Sequence, residues 1–116
     1  PPYYNLRYHT YEYGYGEFTT IDKLCSLQDK LNMFGKLLIC RDAYWKIAGE
    51  EMGLDKPLKP NWNNGLNKYC LLNCENRIIR STIASVNIIL AFPTEEMRNM
   101  FYENFKDLIE QCKELL

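Results

Sequence analysis

The sequence predicts an α+β fold with a Tyr-rich N-terminal strand or arm, two N-terminal helices, a three-stranded antiparallel meander and a C-terminal amphipathic helix packed on the sheet. Three observations carry that expectation. Apolar residues recur at intervals of three and four from Leu24 to Ala48 and again from Met97 to Leu115, the spacing of amphipathic helices. Between these stretches lie three short runs rich in β-branched or bulky residues, 69–72, 77–83 and 86–92, joined by short links. The chain has 116 residues, 47% of them hydrophobic, which suffices for one core and falls short of two, so a single domain over 1–116 is expected.

Each segment has its own signature. Of nine tyrosines, six (Tyr3, Tyr4, Tyr8, Tyr11, Tyr13, Tyr15) fall in the first fifteen residues, and partial period-two alternation over 1–18 fits a sheet-edge strand or an aromatic arm. Thr19 or Thr20 can cap the helical segment 19–53, with Asp22 at its positive end. There Leu24, Leu27, Leu31, Phe34 and Leu38 make one buried stripe, and Leu37, Cys40, Tyr44, Ile47 and Ala48 a second. Gly35 weakens a helix by about 1 kcal/mol relative to Ala and is taken as the boundary between the two. In the loop 54–66, Pro57, Pro60 and Asn64-Gly65 exclude regular helix and supply turns. Trp62 interrupts this polar loop, either as a ring folded back on the core or as an exposed anchor for a partner. The segment 67–92 is the meander, with a hairpin turn at Asn73-Cys74-Glu75-Asn76. The helix 94–116 opens on Thr94 as cap with Glu95 and Glu96 behind it. Its stripe is Met97, Phe101, Phe105, Leu108, Cys112 and Leu115, and its other face sets six carboxylates against Arg98, Lys106 and Lys113.

Charge and chemistry narrow the function. Fourteen Lys and Arg stand against fifteen Asp and Glu, without the cationic excess of a dedicated nucleic-acid binder. The longest uncharged stretch, 81–94, is too short and polar to span a bilayer, so the expectation is a cytoplasmic protein with no membrane partner. Five cysteines, an odd number, read as free thiols. Cys70 and Cys74 could offer two thiolates, but with His9 the only histidine the ligand set for zinc is incomplete, and no metal or other cofactor is expected. Gly14-x-Gly16 lacks a third glycine and a preceding βαβ strand, and adjacent Glu95 and Glu96 point in different directions on a helix. No enzymatic activity is expected.

Three segments also resemble a family. They are Cys40-Arg41-Asp42-Ala43-Tyr44-Trp45-Lys46-Ile47-Ala48, the loop Pro57-x-x-Pro60-Asn61-Trp62, and Ile89-Leu90-Ala91-Phe92-Pro93-Thr94-Glu95-Glu96-Met97-Arg98 running into Phe101-Tyr102-Glu103-Asn104-Phe105. Over residues 20–116 the chain resembles a group of small uncharacterised proteins of gut-type anaerobic bacteria and their phages, in which Leu58 is usually replaced by Trp and Asn61 often by Asp. The resemblance implies a phage or mobile-element setting and brings no catalytic residues with it.

A binding role is left by elimination. In the favoured form, Tyr8, Tyr11, Tyr13, Tyr15 and Trp62 contact a protein partner, since such side chains give large contact area at small entropic cost; an inhibitor of a bacterial defence system is one concrete instance. In the alternative, tyrosines stack on single-stranded nucleic acid or RNA while Arg7, Lys68, Arg77 and Arg80 meet phosphates, a role the charge balance disfavours. A third form is a structural subunit of a phage assembly, with the arm added to a neighbour's sheet. No oligomeric state follows from the sequence.

Overall fold

The computed structural model describes residues 4–5, 10–11 and 21–116, with side chains described from Leu24 onward. Contacts fall into two compact units, residues 1–32 and 33–116. In the first unit, β1 (Tyr4–Asn5) pairs antiparallel with β2 (Thr10–Tyr11), Tyr4 opposite Tyr11 and Asn5 opposite Thr10. The unit also holds the first turns of α1 (Ile21–Glu51), where Leu24, Leu27 and Leu31 are 44%, 48% and 51% exposed. The expected stripe is therefore only half-buried, and only from Phe34 onward; its first three leucines form an open row.

The second unit holds the rest of α1, β3 (Lys68–Cys74), β4 (Arg77–Ile83), β5 (Leu90–Phe92), α2 (Glu95–Cys112) and a 3₁₀ turn at Lys113–Leu115. One helix stands where two were expected, because Gly35 lies inside α1 and its cost is a propensity penalty, not a stop signal. The stop comes at Gly53, whose φ of +76° suits glycine. Leu54 N–H donates to the Gly49 carbonyl (2.8 Å) and Gly53 N–H to that of Glu50 (3.0 Å), the paired bonds of a Schellman cap.

The sheet is three-stranded and antiparallel, as expected, but its order is β4-β3-β5. It is not a meander: the third strand returns past its predecessor to pair with the first, Tyr69 opposite Phe92, Cys70 opposite Ala91 and Leu71 opposite Leu90. Only Leu90–Phe92 of the predicted 86–92 run is strand, and residues 84–89 serve as the link. The physical reason is the outer edge of β5. Trp45 Nε1–H donates to the Ala91 carbonyl (2.8 Å) and Arg41 to that of Ile89 (3.1 Å), so two side chains one helical turn apart satisfy the groups that another strand would have paired. The Arg41 guanidinium also stacks 4.1 Å from the Trp45 ring.

Alternation along β3 puts Leu71 against the helices with Leu90, Phe92, Leu37, Trp45, Phe101 and Ile109, all buried. Tyr44, Phe92, Phe101 and Phe105 form an edge-to-face and tilted aromatic cluster with centroids 4.8–6.3 Å apart, and Asn104 donates to the Tyr44 hydroxyl (2.7 Å). Of the expected second stripe, Ile47 is 46% exposed, while Trp45, outside that stripe, is 7% exposed. Thr94 caps α2 as predicted, its hydroxyl accepting from the Met97 N–H at 3.1 Å. Arg98, assigned from sequence to the solvated face, is 6% exposed: three residues before Phe101, it flanks the core stripe.

Candidate functional site

A groove of about 420 Å³ lies between the loop after α1 and the link from β5 to α2. Glycine chemistry sets its shape at one point. A Cβ on Gly49 would sit 2.1 Å from the Lys56 carbonyl oxygen, so the chain leaving α1 can fold back tightly only over a glycine. Leu58 N–H then donates to the Trp45 carbonyl (2.9 Å), fixing the loop to the helix that holds the edge of β5.

The asparagines shape the rest of the loop. Asn61 Oδ1 accepts from Asn63 N–H and Asn64 Oδ1 from Leu66 N–H, both at 2.9 Å, turns that these side chains build with their own backbone. Gly65, with φ of +69°, completes the second turn. Asn64 Oδ1 also accepts from the Lys68 ammonium at 2.8 Å, and the Ala84 carbonyl lies 3.4 Å from the same nitrogen. Lys68 is 6% exposed and its Nζ stands 5.0 Å from the centre of the Trp62 ring. Trp62 is half-buried and outside the core cluster, so its ring rests on a cation at the start of β3. No family of known proteins, no curated protein sequence and no solved structure matches the chain.

The groove has two chemical sides. Met52 (65% exposed), Leu66 (66%) and half-buried Leu58 supply apolar lining, and Lys59, Lys68, Asn61, Asn64, Asn67 and Thr94 supply polar lining without a carboxylate. The carboxylates Glu51 and Glu96 line an adjoining cleft of about 280 Å³ with Tyr44, Ile47 and Met97, which shares Thr94 with the groove. Sequence reasoning missed Met52, just past the end of α1, and Leu66, in the polar loop, each beside a glycine where no periodicity marks it.

The remaining candidates are spread out. Tyr8, Tyr13, Tyr15 and Arg7 lie outside the described residues, and Tyr11 is placed in β2 by its backbone alone. Arg77 and Arg80 are exposed on β4; Arg80 lies 3.8 Å from Glu103 and 5.4 Å from the centre of the Tyr102 ring. Lys68 pairs with Ile83 at one end of the β3–β4 ladder and Arg77 with Cys74 at the other, about 20 Å away at strand rise, so the cations do not form one patch.

All five cysteines are free. Cys70 and Cys74 lie four residues apart on one strand, about 13 Å, too far to share one zinc ion. Burial pushes the Cys70 thiol up to about 11, against a hydrogen bond from the Ile83 backbone and the charges of Arg98 and Lys68, and burial also raises Cys112. Both are held as thiols at neutral pH, the unreactive form.

Proposed function

We propose that this is a non-catalytic binding protein that acts by protein–protein contact through the groove beneath the Trp62 loop. The observation that carries the reading is the exposure of Met52 and Leu66 in the lining of a preformed groove. Its walls are held by the Gly49 approach, two asparagine turns and the Lys68 contact, so little loop entropy is lost when a partner enters. The family resemblance adds a setting, a phage or mobile element, in which inhibition of a host defence protein is one form of such binding. Affinity capture from nuclease-treated host lysate tests the reading. A specific host protein retained by the native chain and lost by Leu66→Asp supports it; recovery of RNA alone overturns it.

A second reading, a subunit of a larger assembly, draws on the open row of Leu24, Leu27 and Leu31 along one helix face. Light scattering decides it: a defined oligomer that Leu27→Glu converts to monomer supports self-association, and a native monomer overturns it.

A further inference from the structure

We infer that the partner segment seated in this groove carries a carboxylate beside an apolar side chain, with Lys68 and Lys59 receiving the charge. The inference rests on the protein-binding reading above and specifies the chemistry of the partner.

Lys68 is nine-tenths buried, and among the described residues the partners of its ammonium are neutral: the Asn64 amide oxygen, the Ala84 carbonyl and the Trp62 ring. An ammonium has three donors; these neighbours engage two of them and leave its charge unbalanced. Among the described residues no carboxylate forms an ion pair with it. Asn64 Oδ1 already accepts two hydrogen bonds, from Leu66 N–H and Lys68, and Asn61 Oδ1 accepts one from Asn63 N–H, while each side-chain NH₂ adds donors that can face a ligand. The polar side of the groove is thus rich in donors and carries two cations, in a chain whose net charge is −1. An anion satisfies it, and an apolar group must accompany that anion to cover Met52 and Leu66. A peptide carboxylate fits better than a nucleic-acid phosphate, because among the described residues the other candidate cations do not extend the groove into a basic track: Arg77 stands at the opposite end of the β3–β4 ladder from Lys68, and Arg80 lies 3.8 Å from Glu103.

The test is selection of a random peptide library on the full chain, followed by titration of the consensus peptide and its Asp→Asn, Glu→Gln counterpart. Binding is read by fluorescence anisotropy and by methyl shifts of Met52, Leu58 and Leu66. An acidic and apolar consensus is expected, shifting those methyls, with the amide counterpart weaker by roughly tenfold, the worth of one charge-assisted hydrogen bond. Lys59→Gln, a change at an exposed residue that leaves the fold intact, weakens the acidic peptide and spares its counterpart. A consensus without carboxylates that still shifts the methyls overturns this inference and leaves the groove as a protein-binding surface. Absence of any selected peptide, or shifts elsewhere on the chain, overturns both. Tighter binding of oligouridylate than of peptide at the same methyls overturns the peptide class.

Discussion

Gly49 and Gly35 occupy the same helix and answer to opposite constraints. A methyl group on Gly49 meets the Lys56 carbonyl at 2.1 Å, a backbone atom that moves only with the loop. Gly49→Ala is expected to destabilise by about 1–3 kcal/mol, the cost of overpacking, and to disturb the groove. Gly35 has nothing within 4 Å of its missing Cβ, so Gly35→Ala should stabilise by about 0.5–1 kcal/mol through helix propensity. Urea denaturation of the two variants checks both signs. Side-chain reactivity follows burial in the same way: Cys74 is exposed on β3 and should alkylate quickly in native protein, whereas Cys70 and Cys112 should react only on unfolding. Mass spectrometry after a short pulse of iodoacetamide reads this directly.

Elements depend on partners that sequence spacing does not reveal. The cap of α2 was legible because Thr94 and its carboxylates act within one turn. The hairpin was legible for the same reason, and the structure narrows it to a two-residue turn with Glu75 and Asn76 at φ of 52° and 64°. Asparagine tolerates that conformation better than glutamate, so Glu75→Asn is expected to raise stability by up to about 1 kcal/mol, read as an increase in Tm. Strand order was not legible. A short link between β4 and β5 argues for adjacency, yet β5 is placed by Trp45, 46 residues earlier in the chain. Trp45→Phe keeps most of the apolar volume but removes the donor to Ala91. The orphaned carbonyl should cost about 1–3 kcal/mol and speed amide exchange in Leu90–Phe92. β4, the other edge, carries Arg77 and Arg80, charges that guard an edge against pairing with another chain.

At the scale of the whole molecule, alkali should reveal how the β3 thiol is held. The folded state keeps the proton on Cys70 up to about 11, whereas the unfolded chain releases it near 9.0. Folding therefore retains a proton that unfolding sheds, so this contribution to stability is full below pH 9 and declines as pH rises toward 11. The urea midpoint should fall over that range in the native chain, and fall less in Cys70→Val. The candidate site shows how far sequence reasoning reached. Trp62 and Lys68 were both singled out, but for separate roles, because their contact depends on the turn at Asn64 and on the burial of a β3 residue that reads as a surface cation. The groove itself left no periodic trace, being assembled from a loop, a strand start and a helix cap. Its role as the contact surface is tested most directly by amide exchange of the chain bound to the host protein that affinity capture recovers. Protection concentrated in residues 58–68 and 92–94 is the predicted result; protection confined to Arg77–Ile83 or to residues 1–18 would contradict it.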